Sequence, residues 1–248
     1  PRTHARLLVL RARLRWLEGR LDEAQADLDA ARADVASVGD REAEAERVGV
    51  QAGILRSQGR WTEAVGAAKW AQEADGEAQD PSAVASRAVA VAHAEAWEAA
   101  ATWLASGDVE PLRDAVAGAD RALAEVDPDP FFALWLGLKT RVVEAELLLA
   151  TAAATPPLGH RRILERLREE ARAHVQRGVT GEPALAMLTA WALKLCGEDP
   201  SALAAEAEAE AQTLGLAGLA SLARAVAGGE PGEHAPATLL AAMLAQRS

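Results

Sequence analysis

Three observations predict an all-α fold, built from antiparallel helix pairs stacked side by side into a solenoid of about 11–12 helices. The first is an echo. Residues 17–35, LEGRLDEAQADLDAARADV, return in part forty residues later, with Gly19-Arg20-Leu21-x-Glu23-Ala24 repeated as Gly59-Arg60-Trp61-x-Glu63-Ala64. Each copy leads into an Ala-rich helical pattern, Leu28 and Ala31 in the first, Ala68 and Ala71 in the second. The second observation is composition. Aromatic residues are 4% of the chain, Tyr is absent, and Ala, the best helix former, outnumbers the β-branched residues that favour strands. The third is that no segment alternates apolar and polar residues with the period of a strand. A helix hairpin cannot bury its apolar face alone, so successive pairs must stack.

The elements follow in order. From residue 3 to 18, Leu7, Leu10, Leu14 and Leu17 fall on one helical face, with Arg6, Arg13 and Arg20 beside them. Gly19 ends that helix. Leu21, Ala24, Leu28, Ala31 and Val35 mark the next, whose acidic residues Asp22, Glu23, Asp27, Asp29 and Asp34 face elsewhere. Asp40 caps a third helix through Val50 and Ile54, Gly59 breaks it, and Trp61 opens its return to about residue 75. Asp80-Pro81 starts a long helix that Ser106-Gly107-Asp108 ends, forty-eight residues after Gly59. Leu112, Val116, Ala119 and Leu123 carry its return. Asp129-Pro130, Gly181-Glu182-Pro183 and Asp199-Pro200 open later helices, and Thr155-Pro156-Pro157 closes one. Residues 1–227 form the repeat domain, 228–235 a Gly/Pro linker, and 236–248 an amphipathic capping helix with Leu239, Leu240, Met243 and Leu244 on its apolar face.

Charge and cysteine content narrow the function. The chain of 248 residues carries a formal net charge of −11, which argues against direct binding of nucleic acid or anionic membrane. Cys196 is the one cysteine, so neither an intrachain disulfide nor a cysteine zinc cluster can form, and a reducing, cytoplasmic setting is expected. No run of about 18 apolar residues is present, and the opening PRTHARLL has no signal-peptide core. Pro1 in place of Met fits either a processed start or a piece of a longer chain.

The recurring Gly-x-Leu/Trp-x-x-Ala, with an apolar or small residue four on and Ala seven on, resembles the second half of a tetratricopeptide repeat at Gly19 to Ala31 and Gly59 to Ala71. Gly107 to Ala119 matches less well, because Leu112 replaces the small Ala. Spacings of 40 and 48 exceed the standard ~34 residues and imply longer helices. The Ala/Arg/Leu-rich texture and the segment from residue 204 on, with its EAEAQTLGLAGLASLA at 208–223, are similar to the helical region of large ATP-binding LuxR-type transcriptional regulators of actinobacteria. That resemblance implies a right-handed solenoid with a sensory or scaffolding role in transcription regulation. The family's nucleotide-binding domain and helix-turn-helix are not in this sequence.

No catalytic reading finds a foothold. Gly-x-Ser-x-Gly, His-Glu-x-x-His and Glu-x-x-His are all missing, and Gly137-Leu138-Lys139-Thr140 matches a phosphate loop only superficially, lying in mid-helix with no strand before it. His4, His93, His160, His174 and His234 are scattered, so no metal or cofactor is expected. The strongly charged stretch at residues 160–177 mixes Arg with Glu at helical spacing, the pattern of a salt-bridged exposed face.

A candidate site emerges when the forty-residue register is carried onto the first helix of each pair, which lines the concave side in tetratricopeptide folds. Arg6, Val9, Arg13 and Trp16 map onto Glu46, Gly49, Gly53 and Arg56, and the longer step leads to Ala94 and Trp97. Arg6, Arg13, Arg56, Trp16 and Trp97 would then wall a groove whose floor is kept shallow by Gly49 and Gly53. Arg pairs with carboxylates and Trp offers stacking area, so a protein segment or a small acidic effector is the expected partner. The same residues admit another reading, in which the glycines permit close helix packing, the tryptophans are core and the arginines are solvated. A separate expectation is an adaptor or homodimer acting through the solenoid end and the last helix.

Overall fold

The computed structural model describes residues 2–74, 81–127, 132–174 and 182–247, and among these every regular element is a helix. The first six are α1 Arg2–Leu17, α2 Leu21–Val38, α3 Arg41–Ser57, α4 Trp61–Ala74, α5 Pro81–Ser106 and α6 Glu110–Ala124. They are followed by α7 Phe132–Ala152, α8 Leu158–His174, α9 Glu182–Leu195, α10 Ser201–Thr213, α11 Ala217–Ala227 and α12 Ala235–Arg247. The expected helix starts at Asp80, Asp129 and Gly181 lie outside the described residues.

The repeated Gly-Arg-x-x-Glu motif has a local cause. Gly19 and Gly59 adopt φ of +79° and +76°, the left-handed conformation that ends a helix cheaply only without a Cβ. The following Arg20 and Arg60 then fork onto the carboxylates of Glu23 and Glu63 one turn into the next helix, with Nε–Oε1 distances of 2.7 Å in both copies. The same backbone and the same ion pair recur, so the echo is a turn device. Asp40 caps α3 as expected, its carboxylate accepting from the Ala43 amide at 3.1 Å.

Helices α1 and α2, α3 and α4, and α5 and α6 pack as neighbouring pairs, and α1, α3, α5, α7, α9 and α11 follow one another as an inner row. The core is centred on that row, around Trp97 of α5, Leu147 and Leu148 of α7, and Met187, Leu188 and Trp191 of α9. Full burial of each large side chain contributes roughly 1.5–3 kcal/mol. The expected capping helix lies elsewhere than at an end: α12 packs on α11 and crosses the inner row at α3, α5 and α7. Its apolar face is buried there, Leu240 and Met243 completely. The turns of the first two hairpins touch this closing layer, since a Cβ on Gly19 would sit 3.0 Å from Ala217 and one on Gly59 3.1 Å from Ala235.

Helix α1 departs from the sequence reading. Leu7, Leu10, Leu14 and Leu17 are 59%, 48%, 61% and 37% exposed, whereas Ala5, Leu8, Val9 and Ala12 are buried. The helix carries two apolar stripes, and electrostatics helps select between them. Asp27 of α2 is only 4% exposed, not turned to solvent as expected, and accepts from Arg11 at 2.7 and 2.9 Å and from Arg15 at 2.7 Å. Turning Arg11 and Arg15 toward α2 places the small-residue stripe against Leu28 and Ala31, and the leucines face outward. Trp70 of α4 is likewise 44% exposed, while Trp191 of α9 is buried.

Candidate functional site

Between the inner helices lies a cavity of about 450 Å³. Helix α1 contributes Arg13 and Trp16; α3 contributes Glu46, Gly49, Gly53 and Arg56. Six of the eight residues expected from the register therefore share one concave surface. The other two do not line it. Arg6 is tied to Glu42 at 2.9 Å at the α1–α3 edge. Trp97 is fully buried beneath the groove, stacked on Trp61 with ring centroids 6.0 Å apart.

The two glycines play different parts. Gly53 accommodates Trp16, whose ring atoms would lie 2.6–2.9 Å from any Cβ at position 53. The indole N–H donates to Ser57 Oγ at 2.9 Å, and Ser57 in turn donates to the Gly53 carbonyl, so the ring is held against the helix backbone. Gly49 meets nothing within 4 Å and leaves the groove open.

Four groups that the register did not supply complete the site: Arg87 and His93 from α5, and Arg141 and Glu144 from α7. Trp97 Nε1–H donates to Glu144 Oε1 at 2.9 Å, and His93 Nε2 lies 3.3 Å from Glu144 Oε2. Arg56 Nη1 is 2.6 Å from His93 Nδ1. A guanidinium can only donate, so Nδ1 accepts, and the imidazole proton sits on Nε2, facing Glu144. Burial pushes the His93 pKa below its ordinary value and the Arg56 charge adds to this, consistent with a neutral ring. Against the cost of its own burial, Glu144 is held well below the usual carboxylate range by His93, Arg56 and the Trp97 N–H.

Each oxygen of Glu144 thus has a partner, whereas the guanidiniums are short of theirs. Arg56 Nε is buried with no hydrogen-bond acceptor, and leaving such a donor unmade costs about 1–3 kcal/mol. Arg13 and Arg141 make no hydrogen bond or ion pair with the described residues. Burial, with the nearby charges of Arg56 and Arg13, pushes Arg141 down to about 10. Glu42 and Glu46 at the rim act on Arg87. At the deep end Arg56 and Arg141 thus share one carboxylate, Glu144, with Arg13 close to Arg141, in a chain whose net charge is −11.

A second cavity of about 450 Å³ shares Trp16 and Arg56 as its partition and is walled beyond them by Thr140, Met187, Leu188 and Leu219. His234, at the start of the closing layer, lines it too. Among the described residues no group of three or more potential metal ligands is found, and no helix is long and apolar enough to cross a membrane. Gly137 to Thr140 lie inside α7, with Thr140 donating to the Gly137 carbonyl as in an ordinary helix turn.

No family model, curated protein or solved structure matches this chain.

A signal for the missed groups was present. Helix α7 reads FALWLGLKTRVVEAELLLATA, apolar nearly all round, so charges in its middle fall where burial is unavoidable. His93 stands in a similar apolar run of α5.

Proposed function

We propose that the chain is a non-enzymatic binding module, a right-handed tetratricopeptide-like solenoid with lengthened helices, whose concave groove receives an acidic ligand. The observation that carries this reading is the open groove on which Arg13 and Arg141 make no hydrogen bond or ion pair with the described residues. Uncompensated charge lowers the stability of a folded chain, and an anionic ligand supplies the missing half of the interaction. The resemblance of residues 204–222 and of the repeat texture to LuxR-type regulators supports a sensory or scaffolding role in a cytoplasmic transcriptional regulator. The partner is a protein segment or a small acidic effector.

Isothermal titration of wild type and Arg56→Gln with a glutamate-rich peptide and a panel of small organic acids tests the groove. Saturable binding, weakened at least tenfold by the substitution, is the expected result. Equal binding by both proteins, or none by either, overturns the reading.

A second reading, an adaptor or oligomerisation module, draws on the outward leucines of α1. The last helix is no longer its natural vehicle, because the apolar face of α12 is buried within the chain. Sedimentation of wild type and Leu10→Glu decides it: association lost in the variant favours the adaptor, and a monomer in both removes it.

A further inference from the structure

We infer that the groove's ligand is a compact dianion of small-molecule size, seated among Arg13, Arg56 and Arg141. This deepens the reading above and rests on it.

Charge sets the valence. Arg56 and Arg141 share the charge of a single carboxylate, Glu144, whose oxygens already receive the Trp97 indole N–H and face the His93 ring, and Arg13 lies near Arg141 with no ion pair among the described residues. Two positive charges are left over, and they converge from three different helices, a geometry suited to a group or pair of groups that accepts from several directions. The rim acids do not supply the balance, since Glu42 engages Arg6 at 2.9 Å and both Glu42 and Glu46 act on Arg87.

Shape sets the size. An extended peptide advances about 3.3 Å per residue and needs a continuous trough. Here Trp16 and Arg56 stand between this cavity and the second one and close its end. The remaining ~450 Å³ falls within the range of small-molecule sites. Gly49, with open space where a Cβ would stand, and the Trp16 ring beside Gly53 leave room for a flat or apolar body next to the charged end.

The test is titration calorimetry of the full chain with succinate, inorganic phosphate and a twelve-residue glutamate-rich peptide, repeated on Arg141→Gln and Arg13→Gln. Arg13 lies at the surface, so its variant keeps the comparison interpretable if Arg141→Gln fails to fold. The expected result is one-to-one binding of succinate or phosphate that falls at least tenfold in either variant; which of the two binds separates a dicarboxylate from a phosphate ligand. Binding of the peptide alone overturns the small dianion and leaves the acidic-ligand groove standing. Binding of none of the three overturns both.

Discussion

The indole of Trp16 packs against the backbone of α3 at Gly53, so closely that a Cβ there would stand 2.6 Å from Cζ2. Helix propensity alone makes Gly→Ala favourable by roughly 0.8–1 kcal/mol. At position 53 packing reverses the sign, because the ring cannot retreat without breaking its bond to Ser57. Gly53→Ala is expected to destabilise the fold by about 1–3 kcal/mol. Gly49→Ala, which meets nothing within 4 Å, should stabilise it by up to about 1 kcal/mol. Urea denaturation of the two variants checks the contrast, and a common sign would refute the packing account.

The uncompensated guanidiniums make a second forecast. Arg141 is half-buried beside Arg56 and Arg13 and makes no hydrogen bond or ion pair with the described residues. Arg141→Met, which keeps the apolar stem, should raise ligand-free stability by on the order of 1 kcal/mol, as removal of an unbalanced buried charge commonly does. An arginine with a purely structural role would give the opposite shift in thermal melting.

Acid should weaken the fold before its carboxylates protonate. Burial, then the charge of Arg56, pushes the His234 pKa down to about 4, and its Nδ1 has no partner. The unfolded chain takes up this proton near pH 6.5 and the folded chain does not, so stability is intact above that pH and falls as pH drops toward 4. Between pH 7 and pH 5 the loss through this group is about 2 kcal/mol. His93, also pushed down by burial, acts in the same direction. His234→Gln should flatten the pH dependence measured by urea denaturation; an unchanged slope would exclude His234 as its source.

The two leucine environments of the first hairpin give a direct measure of the α1 rotation. Leu14 is 61% exposed and Leu28 is fully buried. Leu14→Gln should change stability by no more than about 0.5 kcal/mol. Leu28→Ala should cost about 2–5 kcal/mol through lost burial and a residual cavity. A large loss in Leu14→Gln would mean that the leucine stripe is covered after all.

Much of this was legible from local pattern. The turns at Gly19 and Gly59, the Asp40 cap and the all-helical content depend on backbone conformations and capping bonds spanning a few residues, which residue type reports directly. The forty-residue register carried Arg13, Trp16, Gly49, Gly53 and Arg56 to one surface because equivalent helices in stacked pairs present equivalent faces. It failed for Trp97, where the same position is roofed by neighbouring helices and the indole N–H turns to Glu144 of α7.

By itself, then, the sequence determined the helices, their breaks and the pairing of neighbours, all of which follow from 3.6-residue periodicity and short connections. Only the tertiary structure decided which of the two apolar stripes of α1 is buried, since that choice depends on Asp27 meeting Arg11 and Arg15 across a helix interface. It also decided that α12 folds back over the inner row and that Arg141 and Glu144 join a groove begun by α1 and α3. Those relations join residues from 12 to roughly two hundred positions apart, across helix interfaces where no local propensity acts and the balance of burial against charge selects the arrangement.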